Sequence, residues 1–265
     1  MYDTISINTD ARGVATLTLA RPEKHNALSA QMIAELTDAA NMLGQDDTVR
    51  VVVLTGEGKS FCAGGDLAWM QEQMAADRET RFSEARKIAT MLYALNTLPK
   101  PLIGRLQGNA FGGGVGMTSV CDVAIGVDTL TMGLTETRLG LIPATIGPYV
   151  LARMGETMAR RVFMSSRLFG AEEAVSLGLL AKAVSADELD KTVEAEVIPY
   201  LTCAPEAIAR AKALTRRLGT PINDDVIDHT ISELVACWEG QEAKDGVAAF
   251  FEKRPAPWIK QTSSD

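Results

Sequence analysis

The run Val49-Arg-Val-Val-Val-Leu-Thr55 is nearly all apolar. A strand of that composition has both faces covered, as in sheets whose parallel strands carry helices on either side. The segments around it fit such a layered fold. Thr4-Ile-Ser-Ile-Asn8 and Val14-Ala-Thr-Leu-Thr-Leu19 alternate at period two across Asp10-Ala-Arg-Gly13 and read as a β-hairpin. Ser29 is a candidate N-cap for a helix over 30–44, which carries Ile33, Leu36, Ala40 and Leu43 at helical spacing. A polar helical stretch is expected from 67 to 98, closed by Pro99 and Pro101. Leu102-Ile-Gly-Arg-Leu106, Asp122-Val-Ala-Ile-Gly126 and Leu130-Thr-Met132 read as strands. Helical patterns dominate from Thr135 onward, apart from a short strand near Lys182-Ala-Val184, and Pro205 and Pro221 stand near helix starts. Strands alternating with helices, followed by a helical tail, give an α/β core with a C-terminal helical region.

Bulk properties narrow the function. The 265 residues carry a net charge of −8, which argues against nucleic acid as the main partner. An anionic small molecule stays compatible with that charge, because a local basic patch can sit on an acidic whole. The opening Met1-Tyr-Asp-Thr-Ile lacks the basic and apolar regions of a signal peptide, and no apolar run approaches bilayer length. A soluble, cytoplasmic protein is expected. Cys62, Cys121, Cys203 and Cys237 form no CxxC pair, and His25 and His229 are the only histidines, so no metal site is expected. The cysteines read as small buried apolar residues.

Two glycine-bearing segments carry the chemistry: Phe61-Cys-Ala-Gly-Gly-Asp-Leu67 and Phe111-Gly-Gly-Gly-Val-Gly116. Each follows a strand and opens a helix. Turns of this kind leave backbone N–H groups unpaired, with the positive end of a helix dipole behind them. Two such turns facing one another can hold negative charge developing on a carbonyl oxygen. Taken alone, either is equally well a tight turn that needs glycine for positive φ.

Two other glycine patterns mislead. Gly56-Glu-Gly-Lys-Ser60 looks like the end of a P-loop, but Val53 stands where that pattern needs glycine. It reads as a solvated loop. From Gly108 a dinucleotide fingerprint fails, because Ala110 takes the second glycine position.

Five segments in order resemble the enoyl-CoA hydratase/isomerase (crotonase) family over most of the chain: Arg21-Pro-Glu-Lys-His-Asn-Ala-Leu28, the two glycine segments, Thr135-Glu-Thr-Arg-Leu-Gly-Leu-Ile-Pro143, and Gln241-Glu-Ala-Lys-Asp-Gly-Val-Ala-Ala-Phe-Phe-Glu-Lys-Arg254. The resemblance is closest to bacterial methylglutaconyl-CoA hydratase-like members. It implies a spiral of ββα units over residues 1–200 and a C-terminal helical oligomerisation region over 201–265. It also implies a homotrimer or dimer of trimers, and an acyl-CoA thioester substrate with no further cofactor. The backbone N–H groups of Gly65 and Gly113 match the family's oxyanion hole. Losing one such donor costs about 10²–10³ in rate. The resemblance places Lys24 and Ala27 in a CoA-contacting loop, the Ala63 carbonyl at the adenine amino group, and Lys253 of a neighbouring subunit near the phosphates. It places Leu67, Phe111, Thr135 and Arg138 around the substrate as well. Asp66 belongs to the same segment and also reads as a cap for the following helix. Cys62 reads as packing and not as a nucleophile.

Hydration of a C=C bond needs a base for water and an acid for the α-carbon. The family's typical hydratases use two glutamates. By resemblance Glu136 is the later one, and Gly116 occupies the place of the earlier one. Three readings stay open: Glu136 does both jobs or shares them with a group from elsewhere; Glu136 alone shuttles a proton in a double-bond isomerase; or the space above Gly116 takes a bulkier, branched substrate, one bearing its own carboxylate included. Arg138 can pair with such a carboxylate, or equally form a surface or interface salt bridge. A non-catalytic acyl-CoA binder is the alternative outside catalysis; the acidic charge counts against an RNA-binding role.

Overall fold

The structure is a computed structural model that describes residues 2–260. Its first sheet has six strands: β1 (Ile5–Thr9), β2 (Val14–Leu19), β3 (Val51–Gly56), β5 (Leu102–Leu106), β7 (Val123–Val127) and β10 (Lys182–Val184), in that spatial order. β1 and β2 form the expected antiparallel hairpin, with Ile5 opposite Leu19 and Thr9 opposite Ala15. All other neighbours in this sheet run parallel. The apolar run at 49–55 is β3, and all six of its residues are buried. Full burial of a leucine such as Leu54 or Leu17 contributes about 1.5–3 kcal/mol relative to exposure.

A second sheet of four short strands escaped the sequence pattern in part. Its order is β4 (Ser60–Cys62), β6 (Asn109–Phe111), β8 (Thr131–Gly133) and β9 (Leu168–Gly170). Each strand has three residues, too few for a periodicity to show. β4, β6 and β8 are parallel neighbours, and β9 closes the edge antiparallel. Three chain segments therefore leave this sheet from the same end.

Helix α1 (Ala30–Gln45) starts where expected. Ser29 Oγ accepts from Met32 N at 3.3 Å, and Met32, Ile33, Leu36, Ala39, Ala40 and Leu43 form its buried face. The helical stretch expected over 67–98 is two helices, α2 (Leu67–Ala75) and α3 (Arg78–Thr97). The break is chemical: Asp77 leaves helical geometry and its carboxylate accepts from Thr80 N at 2.8 Å, restarting the chain as an N-cap. α4 (Gly113–Val120) follows the second glycine turn and is buried on nearly every residue. Beyond it come α5 (Gly147–Phe163), α6 (Ala171–Ser176), α7 (Leu189–Leu201) and α8 (Pro205–Leu218). α9 (Asp224–Glu239) packs on α3, and α10 (Gln241–Phe251) packs on a 3₁₀ turn at Glu136–Leu139. A second hydrophobic cluster joins α9 and α10 to α2 and α3 through Met70, Ala85, Ile231, Trp238 and Val247. Among the described residues, no helix is long and apolar enough to cross a membrane.

The loop at 56–60 joins β3 to β4 and opens no helix; Glu57, Gly58 and Lys59 are exposed. Cys62 and Cys121 are buried as expected, Cys237 is half-buried, and Cys203 is exposed, against the expectation for it. Cys203 follows the last turn of α7, where the chain runs over the surface to α8.

Candidate active site

The second sheet explains how distant segments meet. β4 delivers the first glycine turn, its neighbour β6 the second, and β8 leads into Thr135 and Glu136. All three arrive at one edge.

Positive φ is needed one residue before each donor. Gly64 has φ 92° and Gly112 has φ 47° with ψ −112°, whereas Gly65 and Gly113 have negative φ. The N–H groups of Gly65 and Gly113 have no hydrogen-bond acceptor among the described residues. Gly113 is the first residue of α4, so the helix offers its N–H no acceptor. The turns abut: an ideal Cβ on Gly112 would lie 3.8 Å from Gly64 Cα. Side-chain space differs between the two donors. A Cβ on Gly113 would lie 2.5 Å from Leu28 Cδ1, while one on Gly65 would make only ordinary contact with Trp69, at 3.8 Å.

The loop at 21–28 anchors the first turn. Leu28 N donates to Gly64 O at 2.8 Å, Asp66 N to Leu28 O at 3.1 Å, and Ala63 N to His25 O at 3.0 Å. The fully buried Asn26 holds this loop: its amide donates to the carbonyls of Glu57 and Ser60, both at 2.9 Å, and its Oδ1 accepts from Arg21 N at 2.9 Å. His25 and Asn26 both take left-handed backbone, a conformation that asparagine tolerates well.

Glu136 opens the 3₁₀ turn behind these donors. Thr135 precedes it, and its side chain makes no capping bond. The carboxyl lies against the second turn, since a Cβ on Gly112 would be 3.1 Å from Glu136 Oε1. Glu136 Oε2 is buried with no hydrogen-bond partner among the described residues. Burial pushes the carboxyl up to about 7, opposed only by a hydrogen bond from its own backbone N–H. A carboxyl tuned this way exchanges protons near neutrality.

A cavity of about 390 Å³ connects these groups. Of the residues singled out in the sequence, Ala63, Gly65, Leu67, Gly113, Thr135, Glu136 and Arg138 border it. Among the described residues, Glu136 and Arg138 are its only titratable side chains. Arg138 is exposed and makes no ion pair among the described residues. Trp69, Met70, Leu234, Trp238 and Phe250 supply an apolar wall that the sequence reading missed. Their signal was weak, because an aromatic on an amphipathic helix reads as core.

Other expected substrate residues lie off this wall. Lys24 and Lys253 are exposed surface residues, Ala27 is buried, and Phe111 is half-buried at the end of β6. Asp66 is committed elsewhere: Oδ1 accepts from Ala68 N at 2.9 Å as the cap of α2, and Oδ2 meets Arg21 Nη1 at 3.0 Å. Burial pushes the Asp66 carboxyl up, but the bonds from Ala68 and Arg21 outweigh it and hold it below the usual range. Gly116 is buried within α4, and the space expected above it is filled: a Cβ there would lie 2.5 Å from Ile146 Cγ2. Burial pushes the Cys62 thiol up to about 12, so it packs and is no nucleophile near neutrality. No group of side chains suited to a metal ion occurs among the described residues.

An enoyl-CoA hydratase of Alternaria alternata, AKT6-1, is 33% identical over 240 residues, covering 90% of this chain and 78% of that one. A putative enoyl-CoA hydratase of Thermus thermophilus is 31% identical over 245 residues, covering 91% and 96%. Among solved structures, an enoyl-CoA hydratase from Shewanella pealeana superimposes with a TM-score of 0.80 at 33% identity, covering 97% of both chains. Pseudomonas aeruginosa AtuE superimposes with a TM-score of 0.79 at 34% identity, covering 97% of this chain and 100% of its own. The family described as enoyl-CoA hydratase/isomerase matches residues 9–261. That span holds both glycine turns, Glu136 and the helices that roof the cavity, and the chain is an enzyme of the enoyl-CoA hydratase/isomerase family.

Proposed function

We propose that the protein hydrates a 2-enoyl-CoA thioester with Glu136 as its one proton-transfer group. The observation that carries this reading is the buried, unpartnered Glu136 Oε2 on a cavity shared with two free backbone donors. The thioester oxygen accepts from the N–H groups of Gly65 and Gly113, which stabilise it as it gains enolate charge. Glu136 as carboxylate takes a proton from water while the water oxygen bonds to the β-carbon. The same carboxyl then gives that proton to the α-carbon, so water is added across the double bond. A group near 7 is present in both protonation states at neutral pH, which suits it to both steps. CoA lies outside the cavity along the 21–28 loop, with Ala63 O at the adenine, Lys24 near the phosphates and Lys253 of a neighbouring copy in a homotrimer or dimer of trimers.

A branched glutaconyl acyl group has one feature in its favour and one against. Arg138 is a cation at the cavity without an ion pair among the described residues, and Ile146 fills the room a branch over Gly116 would use. Isomerisation of a 3-enoyl thioester is the second reading. It is favoured by the single carboxyl, since moving a double bond needs one base and no water.

Turnover of 2-enoyl-, 3-enoyl- and glutaconyl-CoA panels, followed by thioester absorbance, tests these readings. Glu136→Gln lowers activity by about 10²–10⁴. Undiminished activity in that variant overturns the proposal. Turnover of 3-enoyl thioesters alone selects the isomerase, and CoA binding without turnover of any panel member overturns both readings.

A further inference from the structure

Gly116 lies one helical turn beyond Gly113 on α4. Helix side chains lean back over the preceding turn, so a side chain at 116 would reach toward the Gly113 N–H. That volume is taken. A Cβ on Gly116 would lie 2.5 Å from Ile146 Cγ2, 3.0 Å from Ile146 Cβ and 3.7 Å from Leu92 Cδ2. Ile146 is 3% exposed and borders the same cavity as Glu136 and both donors.

The position of Ile146 is fixed on the chain side as well. It stands immediately before α5 and its carbonyl accepts from Tyr149 N at 3.1 Å and Val150 N at 3.0 Å. Its β-branched side chain has restricted χ1 freedom. The wall it forms is therefore stiff.

We propose that Gly116 and Ile146 form one packing unit in which Ile146 sets the width of the acyl site and selects against branching next to the thioester carbonyl. The inference rests on the reading of Gly65 and Gly113 as the site of the thioester oxygen. An acyl chain leaving that site passes the first turn of α4, where Ile146 stands in place of a residue-116 side chain. An added methyl group there meets the Ile146 methyl carbons instead of open space. One methyl or methylene in an apolar pocket changes selectivity by about 10- to 200-fold.

Saturated thioesters test this without turnover. Binding of butanoyl-CoA and 2-methylbutanoyl-CoA is measured by calorimetry in the wild type, Ile146→Val and Ile146→Ala. The wild type prefers the unbranched thioester by about tenfold or more. Ile146→Ala brings the two affinities to within about threefold, chiefly by tighter binding of the branched one, and Ile146→Val keeps most of the preference. Equal preference in wild type and Ile146→Ala, with strong binding of both thioesters, overturns the inference and leaves the site reading standing. Failure to bind either thioester overturns both. A thermal cycle isolates the packing unit: Gly116→Ala lowers Tm in the wild type and by much less in the Ile146→Ala background. Additive shifts overturn the unit whatever the binding shows.

Discussion

The two glycine turns present the same donor from unlike surroundings. The first, Gly64–Gly65, sits on the surface side and opens α2, a helix with only two buried residues. Backbone bonds to Leu28 and the Asp66 cap hold it. The second, Gly112–Gly113, opens α4, whose residues after Gly113 are all buried. Core packing holds it, against Leu28, Cys62 and Ile146. Their carboxyls differ likewise. Asp66 beside the first turn is hydrogen-bonded and held below its usual range; Glu136 beside the second has a buried Oε2 without a partner among the described residues and is pushed up to about 7. The first turn's carboxylate is committed to structure, whereas the second turn's carboxyl is buried at a cost in stability.

The sharpest break of this comparison is an alanine in each turn. Gly112→Ala puts a Cβ on a residue with φ 47° and 3.1 Å from Glu136 Oε1. It displaces both the Gly113 donor and the carboxyl, and kcat falls by about 10²–10³ or more. Gly65→Ala has negative φ and ordinary contacts, so kcat stays within about tenfold of wild type. Steady-state kinetics on one enoyl-CoA reads both. Equal losses would mean the turns are equivalent.

Much of this contrast was legible in the chain. The apolar run of β3 stands out by composition alone, whereas the glycine segments and Glu136 gain their meaning from the order of five family-like segments and not from residue type. The meeting of the turns was not legible. It depends on β4, β6 and β8, three strands of three residues whose pairing is decided by tertiary contacts and not by periodicity. The cavity roof was also hidden: Leu234, Trp238 and Phe250 repeat as any core-facing helix does, and only the packing of α9 and α10 over Glu136–Leu139 gives them a role. At Gly116 the sequence showed a missing side chain, but the isoleucine filling its place lies thirty residues away in the chain.

The two carboxyls next predict opposite responses to pH. Glu136 keeps its proton in the fold up to about pH 7, while the unfolded group releases it near the ordinary 4.5. The folded state therefore binds more protons between those values, and stability falls as pH rises through that window and is level above it. The cost at pH 8 is about 3 kcal/mol. Glu136→Gln removes it, so the inactive variant is more stable than wild type at pH 8 and gains nothing at pH 4. Chemical denaturation at the two pH values measures this. In wild type, kcat/KM for hydration rises with pH through about 7, as the carboxylate form of Glu136 appears. A variant with no gain at pH 8 would show that the buried Oε2 finds a partner in solution.

Asp66 gives the smaller and reversed effect. Its folded carboxyl is held below the usual range, so its contribution is present above the ordinary 3.8 and is lost as pH falls through the lower folded value. Asp66→Ala removes the α2 cap and leaves Arg21, whose guanidinium also donates to Ala27 O at 2.9 Å, without its carboxylate. The expected loss is about 1–2 kcal/mol at pH 7. Asp66→Asn keeps a capping oxygen and loses only the charge, so its loss is less than about 1 kcal/mol and shrinks in acid. Because Asp66 lies off the cavity wall, neither variant changes kcat/KM by more than a few-fold once folded. A large drop in kcat/KM with Tm unchanged would put Asp66 on the substrate. It would also erase the contrast between the turns, since Asp66 would then no longer serve structure alone.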